Sequence, residues 1–542
     1  MTGSKSRNSA AAKFLLTRRG FAAGAAALGL SPHGASAQAP RRGGTLIVAA
    51  DTEPRNLNPG MIASNGVFYV ASKVVEPLAE MGDGPDGLVP RLATAWEGSA
   101  DGRSATFRLR PGVQWHDGKP FTSADVAFSA MNIWKPLQNI GRSLLRDLET
   151  VETPDTGTAV MRFAKPIPFQ LLRNALPAIS SVLPRHVYEG TDIAANPANS
   201  KLIGTGPFRF AEHKPGEYFK LARNDAYWDQ GLPHLDGIIF QVLPDRAAIA
   251  AALEANRIQL AAFSAVPLAD LERIGKVPGV KVVTGGYDGI TYQLTVEINH
   301  RRKELADPRV RRAIGHAIDR KFVVDTIFLG YAKPAVGPVP QFDKAFLAPG
   351  LAQPSFDAAR ANALLDEAGY PRAAGGSRFQ LRLLPAPWFE QTRQFGDYLR
   401  QALRAIGIDA VLVNNDPAAH IKAVYTDHAF DLAIGSPVYR NDPAISTTIL
   451  YQGGLPAGVP FANQYGYNNP AMNELIGAAA TETGAGERVR KYHEFQKLAE
   501  ADLPLIIVAE FTFTTVARDS VRNLANNARW ATSHWADTWL AA

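Results

Sequence analysis

The hydrophobic pattern changes character along this chain. Residues 45–50 (TLIVAA) form a nearly unbroken apolar run, which predicts a buried strand. Glu53-Pro54 and Asn58-Pro59 follow as turn chemistry. Residues 105–110 alternate apolar and polar side chains and stop at Pro111-Gly112, the pattern of a half-buried strand. Thr122-Ser123-Ala124-Asp125 reads as a capping box, opening a helix that runs through Phe128 to about Trp134. Residues 204–298 are strand-rich, with strands predicted over 206–210, 218–221 and 238–242 and a helix over 245–256.

From about residue 290 the texture becomes helical. Asp307-Pro308 combines a capping acid with proline in the first turn. Val310, Ala313, Ile314, Ala317 and Val324 then recur at helical spacing. Ser355 is expected to cap a helix over 358–368, closed by Gly369. A further helix over 392–405 closes at Gly407 and feeds strands over 410–413 and 431–434. This alternation predicts parallel α/β layering. Residues 505–515 form a last β-rich run, followed by a polar tail. There is no internal repeat.

Length changes the picture first. At 542 residues the chain exceeds one compact core, which stops growing at roughly 250–300 residues, so two or three domains are expected. The net charge of +6 shrinks on inspection. Residues 1–37 hold Lys5, Arg7, Lys13, Arg18 and Arg19 and no acid; without those five, 57 basic residues become 52, against 51 acidic. Nucleic acid is therefore not an expected partner. Cysteine is absent, which excludes disulfides, thiolate metal sites and a lipid-modified cysteine.

The basic residues belong to a leader. Thr17-Arg18-Arg19-Gly20-Phe21 precedes a mild apolar run to Leu30, then Pro32 and the small triplet Ala35-Ser36-Ala37, the layout of a secretory signal. The twin arginine and weak hydrophobicity resemble a Tat signal. A membrane span needs about 20 apolar residues, twice this run. The expectation is cleavage near Ala37/Gln38 and a soluble periplasmic protein.

A series of motifs then resembles one family. Residues 90–97 (PRLATAWE), Asp101-Gly102 and residues 107–126 (FRLRPGVQWHDGKPFTSADV) resemble the signature of family 5 extracellular solute-binding proteins, the dipeptide- and oligopeptide-binding group of ABC importers. Residues 203–208 (IGTGPF), 223–228 (RNDAYW), 307–314 (DPRVRRAI), 317–320 (AIDR) and 364–370 (LLDEAGY) continue it in order. The resemblance implies an α/β, two-lobed periplasmic binding protein fold of type II. A large first lobe with an extra subdomain would occupy 38–289 and return over 509–542. The second lobe would occupy 290–508, and two chain crossings would form the hinge. It implies a substrate-binding protein, not an enzyme, that takes a small molecule between its lobes and delivers it to ABC permease subunits as a monomer, with no cofactor and no metal. Such a protein closes because its ligand prefers the closed state.

Most motif residues read as structural. His116-Asp117 lies in a turn between a strand and a helix cap, and Trp96, Trp115 and Trp228 are expected to pack. In peptide-binding members an Asp four residues before an acid-Pro pair grips the ligand's amino terminus. Four residues before Pro443 of Asp442-Pro443 stands Tyr439. The neighbourhood 384–388 (LPAPW) also lacks the Arg that grips a dipeptide carboxylate. Free dipeptides are thus disfavoured, since a buried ligand charge would go unpaired. Tyr439, Trp388 and Arg440 are the leading ligand-facing candidates, followed by Tyr292 and Tyr465. Aromatic faces suit a ring or apolar body, and Arg440 suits a carboxylate or phosphate. A secreted hydrolase is the rival reading, but Gly-x-Ser-x-Gly, His-Glu-x-x-His and a Walker-type loop are missing, and the eleven histidines are scattered. A periplasmic sensory or chaperone protein on the same scaffold is the other alternative.

Overall fold

Two mixed sheets organise the protein in a computed structural model that describes residues 39–542, except 55, 63, 83, 85 and 86. The expected export signal and its cleavage point lie outside the described residues. The apolar run Thr45–Ala50 forms a central strand of the first sheet, between the parallel strands Gly237–Val242 and Leu260–Ala261. Seven strands follow the order Val280–Val283, Thr515–Arg518, Leu260–Ala261, Thr45–Ala50, Gly237–Val242, Tyr218–Arg223, Phe208–Lys214. Both faces are covered, one by the largest apolar cluster and the other by a smaller one around Ile249, Leu253 and Ile274. A separate antiparallel sheet of Ala93–Gly98, Ser104–Leu109, Thr158–Phe163 and Leu148–Asp155 carries the first part of the family-like signature, whose remainder runs on into the helix Ser123–Ser129.

The second sheet runs Ala332–Pro334, Leu505–Phe511, Gln293–Ile298, Leu432–Gly435, Phe379–Pro385, Ile408–Leu412. Its last three strands are parallel, and the helix Glu390–Ala405 connects two of them, as the alternating pattern predicts. Gln293–Ile298 and Leu505–Phe511 are antiparallel to each other. They bring the chain into this lobe and out of it at one end, so the layering is mixed, not purely parallel. Gln293–Ile298 is buried at every position, in keeping with apolar clusters on both faces.

The chain passes from Val283 of the first sheet to Gln293 of the second, and returns between Phe511 and Thr515. The two passages are tied together: the Phe511 N–H donates to the Tyr292 carbonyl at 2.8 Å. The expected boundary at 508/509 falls inside Leu505–Phe511, which stays with the second sheet throughout. Local capping chemistry also adjusts one expectation. Asp307 caps its helix as predicted, accepting from the Arg309 N–H at 2.8 Å. The helix Ala358–Glu367 is capped by Asp357, not Ser355, whose carbonyl instead accepts from the His316 ring.

The motif residues converge on one buried carboxylate. Thr205 Oγ1, Tyr227 Oη and Trp228 Nε1 all donate to Glu76, at 2.9, 2.7 and 2.9 Å. Arg110 lies 4.0 Å above the Trp228 ring and donates to the Arg91 carbonyl, and Arg91 pairs with Glu80 at 2.9 Å. His116 donates from Nε2 to the Gly206 carbonyl and accepts the Gly204 N–H on Nδ1; burial lowers its pKa to about 4, so it stays neutral. A Cβ at Gly204 would sit 1.8 Å from the Val74 carbonyl, which explains the glycine. The signature is thus structural, His116-Asp117 and the tryptophans included.

Two buried carboxyls set a pH dependence. Burial raises Glu76 to about 7, against its three hydrogen bonds, and raises Glu297 to about 8. For both, the folded state binds its proton more tightly than the unfolded one. The contribution of these two groups is therefore fully present below their unfolded pKa near 4.5 and is lost as pH rises through about 7 and 8, whereas His116, held neutral, acts in the opposite direction at acidic pH. Glu297→Gln is expected to flatten the resulting fall in Tm between pH 5 and 8. A Tm profile identical to the parent would show that Glu297 is not buried as described.

Candidate functional site

The two lobes meet along a seam whose polar contacts come from both sides. On the first lobe the helix Asn65–Ala71, capped by Ser64, presents Asn65 and Phe68. The strand Ala79–Met81 adds Glu80 and Met81, and the helix Phe169–Ile179 adds Gln170 and Asn174. On the second lobe, the loop after Leu432–Gly435 supplies residues 438–442. Asn441 adopts a left-handed φ of 56°, a conformation that asparagine tolerates better than most residues.

Hydrogen bonds between described residues cross the seam. Asn65 Nδ2 donates to Tyr292 Oη at 3.3 Å, Asn441 Nδ2 to Met81 Sδ at 2.8 Å, Asn174 Nδ2 to Asp442 Oδ2 at 3.2 Å and Arg488 Nη1 to Gln170 Oε1 at 3.4 Å. Behind them Asp442 and Arg488 form a fully buried two-pronged ion pair at 2.6 and 2.8 Å. The Tyr292 ring meets Phe389 and Phe513 edge-on, which anchors it in an aromatic cluster at the crossings.

A recess of about 360 Å³, part of it open to solvent, lies on the first-lobe side, lined by Phe68, Val75, Pro77, Met81, Pro177 and Arg529, with Glu80 and several small polar residues. Its walls combine an apolar patch with charged and small polar groups, the two kinds of contact that a small-molecule site uses. One lining group, Arg529 Nε, is buried without a partner among the described residues, as are Asn65 Oδ1 and Asn441 Oδ1 elsewhere along the seam. Buried polar atoms are seldom left so in a finished interior. A second void of about 440 Å³, lined by Phe328, Phe389, Phe511 and Phe513, lies at the crossings themselves. It lacks a comparable set of unpaired polar atoms. Among the described residues, no group of three or more His, Cys, Asp or Glu is placed to hold a metal.

The sequence-based candidates divide. Tyr292 and Arg440 reach the seam: Tyr292 through Asn65, and Arg440 through its electrostatic coupling to Tyr292 and to Arg529 of the other lobe. Tyr439 does not. It is buried in the second lobe's core, its hydroxyl donates to Asp343 at 2.5 Å and its ring packs on Phe342. Backbone alternation at an extended segment turns Tyr439 inward and Arg440 outward. Tyr465 is a core residue too, its hydroxyl committed to the Leu450 carbonyl. Trp388 is half-buried on the second lobe, donating to Ser436 Oγ at 3.0 Å and packing against His420 and Phe461. It makes none of the cross-seam bonds. Sequence reasoning passed over Asn65, Met81, Asn441 and Arg529. Asn441 adjoins the flagged Asp442-Pro443, whereas Arg529 lies in the polar tail with no motif to mark it.

The family model for bacterial extracellular solute-binding proteins, family 5 Middle, matches residues 87–458. A Brucella ovis protein named as a putative ABC transporter peptide-binding protein is 29% identical over 483 residues, covering 85% of this chain and 86% of its own. The Listeria monocytogenes ABC transporter substrate-binding protein CtaP has a TM-score of 0.81 at 24% identity, over 93% of this chain and 100% of that one. The A. tumefaciens binding protein AgaA, solved with agropinic acid, has a TM-score of 0.75 at 25% identity, over 92% and 99%.

The ion pair behind the seam gives a stability test. Asp442→Ala leaves Arg488 buried and unpaired, and is expected to cost about 3–5 kcal/mol in urea unfolding. Tyr439→Phe, which deletes only one hydroxyl, should cost about 1 kcal/mol. If Asp442→Ala cost no more than Tyr439→Phe, the pair would not be closed off from water.

Proposed function

We propose a role that proceeds from one premise: the chain belongs to the bacterial extracellular solute-binding proteins of family 5, the substrate-binding components of ABC importers. The protein captures a small solute in the seam between its lobes, closes on it, and hands it unchanged to permease subunits in the inner membrane. It works as a monomer in the periplasm, reached by a Tat-type signal cleaved near Ala37/Gln38. The observation that carries this reading is the cavity at the seam, lined by one lobe, bridged by the other, and furnished with the unpaired Arg529 Nε. A ligand that satisfies groups on both lobes favours the closed state by its differential affinity. Tyr292, Arg440, Arg529, Asn65 and Asn441 are the contacts assigned to it.

The names of relatives extend from peptide to agropinic acid, so kinship alone does not choose the solute. Free dipeptides are disfavoured on chemical grounds. An ammonium needs an available carboxylate, but Asp442 is held by Arg488, Glu80 by Arg91, and Asp343 accepts the Tyr439 hydroxyl and two backbone N–H groups. Among the described residues these acids are thus already engaged.

Native mass spectrometry of the purified protein should show one small molecule per chain, recovered chemically intact after hours at 37 °C. Turnover of that molecule would overturn the reading. For export, replacing Arg18 and Arg19 by lysine is expected to remove at least nine-tenths of the protein from the periplasmic fraction. Undiminished export would point to a different secretion route.

A further inference from the structure

We propose that the cavity at the seam grips a carboxylate of its ligand on the guanidinium of Arg529. The inference rests on the capture reading above and names the solute's class: an organic acid with an apolar body.

Arg529 is only 6% exposed, lines the seam cavity, and its Nε has no acceptor among the described residues. It forms no ion pair among those residues either; its guanidinium only faces the Phe68 ring at 5.7 Å. The nearest acid in its field, Glu80, is already paired with Arg91 at 2.9 Å and lies 3.4 Å from His534. Lys73, also fully buried nearby, donates to Ser72 Oγ and the Ala531 carbonyl and sits 4.0 Å over Trp535. Among the described residues Arg529 is thus a buried guanidinium on the cavity wall without a carboxylate of its own.

Burial, with a smaller push from Arg440 and against Glu80, brings Arg529 down to about 9, so it is still a cation at neutral pH. A carboxylate supplies the counterion that this guanidinium lacks, and its two oxygens match the planar fork. Phe68, Val75, Pro77, Met81 and Pro177 receive the apolar remainder. Asn65 Oδ1 and Asn441 Oδ1 are acceptors left open for N–H or O–H groups on the same molecule.

The test uses the purified protein and matched probes: phenylacetate and N-acetyl-leucine, their primary amides phenylacetamide and N-acetyl-leucinamide, and phenyl phosphate. Binding is read by thermal shift and closure by small-angle scattering. The acids should raise Tm and shrink the radius of gyration, while the amides do neither. Arg529→Gln should weaken acid binding at least tenfold, yet leave the ligand-free protein no less stable than the parent, because an unpaired buried charge has been removed. Phenyl phosphate acting more strongly than the acids would overturn the carboxylate assignment. Equal action of acids and amides, unaltered acid affinity in Arg529→Gln, failure of that variant to fold, or no response to any acid would each overturn the proposal. Closure on the amides alone would do so while leaving capture between the lobes intact; a radius of gyration unmoved by any bound molecule, including the one that co-purifies, would instead remove capture itself.

Discussion

The buried Glu76 carboxylate is the constraint from which the first lobe's working surface is built. An ionised or even neutral carboxyl in the interior is tolerable only when its lone pairs are occupied, and here a threonine, a tyrosine and a tryptophan from two distant motifs occupy them. The consequence is positional. Residues 72–81 contain Glu76, and the same stretch supplies Ser72, Val75, Pro77, Glu80 and Met81 to the cavity wall. Fixing Glu76 fixes that wall. The packing of Arg110 on Trp228 and the chain from Arg110 through Arg91 to Glu80 extend the same scaffold outwards. A set of residues that never touches the cavity thereby determines its shape.

The second lobe meets a different constraint: it offers groups to the seam from a loop, which has to be held in place. Asp442 does two jobs at once. One oxygen caps the helix Pro443–Ser446, and the carboxylate as a whole holds Arg488. The loop carrying Arg440 and Asn441 is therefore clamped at its far end, while Tyr439 clamps its near end through Asp343. Between the lobes the hinge is similarly restrained, since both crossings share the hydrogen bond from Phe511 to Tyr292 and the surrounding aromatic rings. Rigid walls joined by two short passages make a shape in which small differences at the seam select between whole-lobe arrangements.

Much of this was legible in the sequence, for reasons that particular residues make plain. Runs such as 45–50 and the Asp307-Pro308 start carry their structure locally, in hydrophobic period and capping chemistry, and both appear where the pattern puts them. The replacement of Ser355 by Asp357 as a cap is a two-residue error of the ordinary kind, where two capping residues stand close together. The site was less legible because its members, Asn65, Met81, Asn174, Arg440 and Arg529, are brought together only by the crossings. Tyr439 turned out to be a core residue through a one-residue phase: in an extended segment the neighbour of an inward side chain faces outward, so it is Arg440 that turns towards the seam.

The distribution of charge follows from the same division of labour. Burying an ion without its counterion costs several kcal/mol, so a protein that does so permanently would be better served by an apolar side chain. Asp442 with Arg488 and Glu80 with Arg91 obey that rule within their own lobes. Among the described residues Arg529 does not, and it lines the cavity at the seam. On the carboxylate reading proposed above, the ligand itself supplies the missing counterion, so the cost of burying this guanidinium is offset only when the cavity is filled.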